Sequence, residues 1–310
     1  MLRLRSDIML RFVGSRVHRF ASTSQPRSLA TKAAEAPKDV RPAELFSIDG
    51  RVALVTGGSQ GLGKAIARGL ALAGASVIVS SRRELELKAA LADILDGTGS
   101  KGSTIVADLS KPGEAERLGQ AALREWGHVD ILISNAGVSR PGCVHIGGAA
   151  DDAPASALPN MTAEDWDTTL ATNVTAGVHL VNTLAPEMAS RGWGRIVHIS
   201  SIGGLGSSEG RSAYSASKAA QIAVTNAAAL ELGPHGITVN AIAPGAFLTE
   251  MPLTKLPPAT IEAIATKVPN RRWGQPHELV GPILMLVSDA GAYVNGATLR
   301  VDGGLLSRAY

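Results

Sequence analysis

Thr56-Gly57-Gly58-Ser59-Gln60-Gly61-Leu62-Gly63 lies between the short apolar run Val52-Ala-Leu-Val-Thr56 and a stretch over 64–73 with helical periodicity. Glycines at these positions let the backbone turn tightly and approach a pyrophosphate. The helix that follows offers unbonded N–H groups and the positive end of its dipole to an anion. A glycine triplet alone says little. Set after a strand, before a helix and near the start of the folded region, it marks a dinucleotide-binding turn.

The same strand–turn–helix rhythm continues outward from this stretch. Strands are expected over 76–80, 103–107, 130–134, 195–200, 236–242 and 297–301, and helices over 84–95, 114–126, 213–232, 261–267 and 276–289. Thr162-Ala-Glu-Asp165 resembles a capping box and opens a long helical segment toward residue 189, with Pro186 near its end. Continuous apolar strands that alternate with helices predict a parallel sheet covered on both faces, hence one doubly wound α/β Rossmann domain with a seven-stranded parallel sheet over 42–310. Residues 139–160 and 244–258 read as loops, the first long enough to suggest a function.

The chain's basicity is localised. Residues 1–41 hold nine of the 30 Lys and Arg and three of the 27 Asp and Glu, leaving 21 basic and 24 acidic residues for the rest. The body is therefore mildly acidic and lacks the basic face that a phosphate-backbone binder needs, so nucleic acid is not an expected partner. The leader interleaves Arg3, Arg5, Arg11, Arg16 and Arg19 with Leu, Ile, Met, Phe and Val. This is transit-peptide composition and predicts the mitochondrial matrix; a leader that does not target would leave the protein cytoplasmic. Residues 35–46 read as a linker. No apolar run reaches the roughly 18 residues of a membrane span. A single cysteine, Cys143, excludes an internal disulfide, and the histidines show no metal spacing.

The chemistry converges on Ser212-Ala213-Tyr214-Ser215-Ala216-Ser217-Lys218. Tyr214 and Lys218 are four residues apart, so they share one helix face. A nearby ammonium favours the phenolate, which suits the phenol to exchange a proton with a carbonyl or alcohol oxygen. After the second strand the chain reads Ser81-Arg82-Arg83, with no acid before Glu84. An acid there would bind the ribose 2′-OH of NAD, whereas an arginine accommodates a 2′-phosphate, so NADP(H) is expected rather than NAD(H).

Taken together, Thr56–Gly63, Asp108, Asn135-Ala136-Gly137, Asn173-Val-Thr-Ala176, Ser200-Ser201, Tyr214-Ser-Ala-Ser-Lys218, Pro244-Gly245 and Asp302-Gly-Gly304 follow the order of the short-chain dehydrogenase/reductase family, which the chain resembles over about residues 50–305. Within it the chain is most similar to 3-oxoacyl-(acyl-carrier-protein) reductases and to gluconate or polyol dehydrogenases. It departs at Ser134, where the family has a second Asn, and in the longer loop at 139–160.

The resemblance implies a tetrad of Asn173, Ser201, Tyr214 and Lys218. Ser201 would steady the substrate oxygen, Tyr214 would exchange the proton, Lys218 would tune Tyr214 and hold the nicotinamide ribose, and Asn173 would anchor a water leading to solvent. It also implies cofactor contacts from Gly57, Ser59, Gln60, Gly61, Leu62 and Gly63, from Ser81 and Arg82, from Asp108 and Leu109, from Asn135, Ala136 and Gly137, and from Pro244, Gly245 and Thr249. The substrate would be a small-molecule carbonyl or alcohol and the assembly a homo-oligomer, tetramer or dimer. A relative that keeps the fold as a non-catalytic NADP-binding subunit is the reading from another class.

Overall fold

The computed structural model describes residues 40–142, 161–207 and 209–307. The leader, Cys143, His145 and most of the 139–160 loop lie outside the described residues.

Seven strands form one sheet: β1 (Val52–Thr56), β2 (Ser76–Ser81), β3 (Gly102–Val106), β4 (Ile131–Ser134), β5 (Gly194–Ile199), β6 (Ile237–Pro244) and β7 (Thr298–Val301). Their order is β3-β2-β1-β4-β5-β6-β7 and every pairing is parallel. The strand order reverses between β1 and β4, and in an open parallel sheet the crevice at such a switch point receives ligands.

The strands are apolar on both faces because helices cover both. Ala53 and Val55 of β1 pack into a core with α2 (Gly61–Leu72), α3 (Glu84–Leu95) and α10 (Val280–Val287), through Ile66, Leu70, Leu87, Ile94, Ile283 and Leu286. Val52 and Leu54 face the opposite core, built with α4 (Glu114–Trp126), α6 (Ala176–Arg191) and α7 (Ser212–Leu232) through Leu118, Leu180, Leu184 and Met188. Strand side chains alternate by two, so the four consecutive apolar residues Val52–Val55 supply both cores. Burying each large side chain contributes about 1.5–3 kcal/mol.

Four segments differ from the sequence reading. The last part of the expected linker forms one helical turn, α1 (Pro42–Leu45), which starts on proline, where no backbone donor is needed. Within 244–258, α8 (Glu250–Lys255) is helical despite Pro252, which sits in the first turn where its missing N–H breaks no helical bond. α9 (Pro258–Lys267) likewise begins three residues earlier than its apolar pattern suggests, again on a proline. The long segment after Thr162 is not one helix. α5 (Ala163–Leu170), capped by Thr162 Oγ1 on the N–H of Asp165 at 3.0 Å, runs into a π-helical turn at Ala171–Thr175 before α6 begins. Pro186 lies inside α6, five residues before its last residue, Arg191.

Candidate active site

The strands β1, β2, β3, β4, β5 and β6 each lead into site residues at the carboxyl edge of the sheet. β1 leads into Gly57, whose φ of 66° suits glycine. A methyl group on Gly57 would stand 2.9 Å from Asn135 Nδ2, and one on Gly63 would overlap the Gly57 carbonyl. The turn is therefore tied down, and Asn135 ties it. Asn135 Nδ2 donates to the carbonyls of Thr56 at 2.8 Å and Gly57 at 3.3 Å, while the N–H groups of Asn135 and Ala136 donate to Thr56 Oγ1 at 3.0 and 2.9 Å. No side chain caps α2, so its first-turn N–H groups face the cleft unpaired by the protein's own side chains.

A cavity of about 360 Å³ opens there, of the size that a small-molecule site takes. Of the residues expected to touch a cofactor, it is lined by Gly57, Ser59, Gln60, Gly61, Leu62, Gly63, Ser81, Arg82, Asp108, Leu109, Asn135, Ala136, Gly137, Gly245 and Thr249. Pro244, Tyr214 and Lys218 are not on its wall. Arg83, which the sequence reading passed over, is; its Nη2 donates to Gln60 Oε1 at 3.2 Å, tying the end of β2 to the glycine turn. Burial works to raise the pKa of Asp108, but hydrogen bonds from Ser110 and the charge of Arg82 together hold it below its ordinary value. Arg82 and Arg83 thus bring two guanidinium groups to the far end of the cavity, with Asp108 the nearby carboxylate. The bare α2 terminus, the glycine cradle and these cations fit a dinucleotide that carries an extra phosphate.

Gly137 joins this cavity to the residues expected to transfer the proton. A methyl group built on it would stand 3.3 Å from Asn173 Oδ1 and 3.5 Å from Lys218 Nζ. Ser201 and Tyr214 meet beside Gly203, where a methyl group would be 3.4 Å from both Ser201 Oγ and a carbon of the Tyr214 ring. The neighbouring Gly204 allows this close approach, since any side chain there would strike the Lys218 backbone at 2.6 Å. The paired serines divide their tasks. Ser200 Oγ is buried and donates to the Lys218 carbonyl at 2.8 Å, fastening β5 to α7. Among the described residues Ser201 Oγ only accepts, from the Gly203 N–H at 3.0 Å, which leaves its own proton for a substrate oxygen.

Lys218 is 4% exposed and its ammonium stands 5.7 Å from the centre of the Tyr214 ring. Nζ donates to the Ile199 carbonyl at 2.7 Å and to Gln221 Oε1 at 2.8 Å. Burial without a counter-charge pulls its pKa down from 10.5 to about 7. Behind it, His198 Nδ1 lies 2.9 Å from Thr225 Oγ1, whose proton goes to the Gln221 carbonyl at 2.8 Å. The Thr225 oxygen is therefore an acceptor, which puts the imidazole proton on Nδ1. Burial first, and the Lys218 charge second, lower the His198 pKa from 6.5 to about 4, so the ring is neutral.

The structure does not join Asn173 to Lys218 by a hydrogen bond. The Asn173 side chain accepts from the Val138 N–H at 2.8 Å and donates to the Val138 carbonyl at 3.0 Å and to Ser217 Oγ at 2.9 Å. Both of its amide protons are engaged, and they pin the chain after β4 to α7. This pull coincides with the π-helical turn that carries Asn173, a device common at functional sites. Among the described residues no group of His, Cys, Asp and Glu could hold a metal, and no helix is long and apolar enough to cross a membrane.

Comparison with known proteins bears on this arrangement. The profile of the family described as short chain dehydrogenase matches residues 51–257. Gluconate 5-dehydrogenase of Gluconobacter oxydans is 38% identical over 264 residues, covering 84% of this chain and 97% of that protein. Among solved structures, a 3-oxoacyl (acyl-carrier-protein) reductase from Agrobacterium tumefaciens with NADP bound superposes with a TM-score of 0.76 at 31% identity, covering 85% of this chain and 97% of that one. A gluconate 5-dehydrogenase from Burkholderia cenocepacia in complex with NADP and tartrate gives a TM-score of 0.76 at 31% identity, covering 87% and 100%.

Proposed function

The chain belongs to the short-chain dehydrogenase family, an oxidoreductase family, and from that premise we propose that it interconverts a carbonyl and a secondary alcohol with NADP(H), using Tyr214 as the acid–base group. The observation that carries this reading is the meeting of Ser201 and Tyr214 beside Gly203, with the buried Lys218 ammonium 5.7 Å from the Tyr214 ring. The nicotinamide, when bound, supplies or accepts the hydride. Ser201 Oγ donates to the substrate oxygen and steadies the charge that develops on it. Tyr214 gives that oxygen a proton in reduction and takes one from it in oxidation. Lys218 sets a buried positive charge beside the Tyr214 ring, and Asn173 keeps the segment after β4 in register with α7.

Gly57, Ser59, Gln60, Gly61, Leu62 and Gly63 would hold the pyrophosphate, with Asp108, Leu109, Asn135, Ala136 and Gly137 along the adenosine half and Pro244, Gly245 and Thr249 at the nicotinamide end. Arg82, with Ser81 and Arg83 beside it, would take the 2′-phosphate. The NADP held by the Agrobacterium and Burkholderia neighbours supports that cofactor over NAD. Phe247, Leu248 and Leu253 make the 246–270 segment apolar, which favours a 3-oxoacyl thioester. The similarity to gluconate 5-dehydrogenases favours a sugar acid or polyol as the second reading. We read residues 1–41 as a mitochondrial leader removed from the 42–310 domain, and the enzyme as a homo-oligomer.

The test is turnover of the full chain with NADPH and NADH against 3-oxoacyl thioesters and keto-sugar acids. NADPH is expected to be oxidised faster, and Tyr214→Phe to lower kcat about 10²–10⁴-fold with NADPH binding unchanged. A near-normal rate in Tyr214→Phe would remove the role given to it. NADPH binding without turnover on any substrate would instead identify a non-catalytic NADP-binding subunit.

A further inference from the structure

Gln221 stands one turn beyond Lys218 on α7, on the face shared by Tyr214, Lys218 and Thr225, and it is buried. Its Oε1 accepts from Lys218 Nζ at 2.8 Å, and among the described residues its Nε2 meets no partner. An ammonium offers only protons, so the amide oxygen must be the atom that faces it. A methionine would fill the same volume without stranding an N–H in the core. The amide thus carries a desolvation penalty on one end, and among the described residues its other end serves Lys218 alone. Polar residues that break the local packing rule in this way concentrate where function requires them.

Two of the three ammonium protons are accounted for, by the Ile199 carbonyl and by Gln221. The third is left on the side where Tyr214 and Gly137 lie. The titratable groups that face Lys218 are Tyr214 on its own helix and His198 on β5; no carboxylate among the described residues forms an ion pair with it. Neutral oxygens alone hold the charge.

We propose that Gln221 is a positioning residue for the reaction: its amide oxygen fixes the Lys218 ammonium beside the Tyr214 ring and keeps it protonated, leaving one N–H for the reacting side. This rests on the reading of Tyr214 and Lys218 as the proton-transfer pair. Burial already brings Lys218 to about 7, so gain or loss of one acceptor changes its charge near neutral pH. Removing the oxygen disfavours the ammonium, and replacing the amide with a carboxylate favours it.

The experiment follows the ¹³Cε signals of labelled lysines against pH in the full chain, with Lys218 identified by the signal missing from Lys218→Met. In Gln221→Met, matched in volume, Lys218 is expected to titrate about one pH unit lower, the size of one hydrogen bond to a charged group. In Gln221→Glu it is expected to titrate higher. The basic limb of kcat should move with it, in opposite directions for the two variants, while KM for NADPH stays constant. An unmoved Lys218 titration in both folded variants would overturn the proposal. A titration that moves as expected, in a protein that turns over no substrate, would leave Gln221 as the group that holds Lys218 and overturn instead the catalytic reading of the pair.

Discussion

Asp130, directly ahead of β4, and Lys218, beside the carboxyl end of β5, are buried at opposite edges of the same sheet, at 1% and 4% exposure. Their surroundings differ in kind. Asp130 is ringed by partners: the guanidinium groups of Arg191 and Arg51 reach Oδ1, and the His128 ring lies 3.3 Å from Oδ2, which also accepts the Val52 N–H at 2.8 Å. Arg51 in turn lies 3.7 Å from the centre of the Trp193 ring, with Arg195 4.3 Å from that centre. Lys218 has two neutral oxygens and no carboxylate. A buried charge with partners is settled, and its removal leaves those partners stranded. A buried charge without them is destabilising, and its proton is loosely held. The first end of the sheet is built to stay as it is, and the second suits the proton exchange proposed for Tyr214 and Lys218.

The sharpest way to break this contrast is Lys218→Met. In the folded chain Lys218 titrates near 7, and in the unfolded chain near 10.5. Below pH 7 the unfolded state holds its proton with the full advantage, so burial of Lys218 costs stability there; the cost fades as pH rises from 7 to 10.5. Lys218→Met is therefore expected to abolish turnover and yet stabilise the fold by about 3 kcal/mol at pH 6, after the loss of two hydrogen bonds is deducted. Urea unfolding at pH 6 and pH 10 checks it, since the gain should shrink at the higher pH. A variant less stable than the wild type at pH 6 would show that Lys218 is as well settled as Asp130.

Asp130→Ala is the mirror experiment. It strands the Val52 N–H at the mouth of β1 and leaves Arg51, Arg191 and His128 without their common partner. These three side chains are partly exposed and can turn to water, which limits the loss to about 3 kcal/mol. The same urea curves should report that destabilisation, with kcat and KM of the surviving folded enzyme unchanged. A fall in kcat would mean that the two edges are coupled through β4 and β5.

Much of this was legible in the sequence, for reasons that also mark where legibility ends. The parallel sheet could be read because apolar runs such as Val52–Thr56 have no polar face, and the cofactor turn because only glycine suits Gly57 and Gly63. The position of the tyrosine–lysine pair follows from helical spacing, and its meaning from the resemblance. The π-helical turn could not be read, because it coincides with hydrogen bonds from Asn173 to Val138, 35 residues away. α8 was hidden by a proline in its first turn. Asp130 and Lys218 look alike in sequence, each a lone charge beside an apolar stretch; the partners that distinguish them arrive from α6, β1 and β5. Gln221 did leave a signal: an amide on the same face as Tyr214 and Lys218, among alanines and isoleucine. What the sequence lacked was the knowledge that this face is buried.

A smaller effect separates the unpaired lysine from the neutral histidine behind it. His198 titrates near 4 in the fold and near 6.5 when unfolded. The unfolded chain therefore gains a proton first as pH falls, and the stability that the neutral ring contributes above pH 6.5 is lost progressively down to pH 4. At pH 4.5 the loss is about 2 kcal/mol. His198→Gln cannot be protonated, and its amide can still donate to Thr225 Oγ1. The difference in unfolding free energy between pH 7 and pH 4.5 should then be about 2 kcal/mol smaller in His198→Gln than in the wild type. Lys218, which titrates near 7 in the fold, adds slope only at the upper end of this window and does so in both proteins, so it cancels from the difference. Acid sensitivity between pH 6.5 and 4.5 that is identical in the two proteins would mean that the ring is reached by water and that the Lys218 charge is screened from it. The unpaired ammonium would then lie in a wetter site than its burial implies, and the contrast with Asp130 would narrow from the lysine's side.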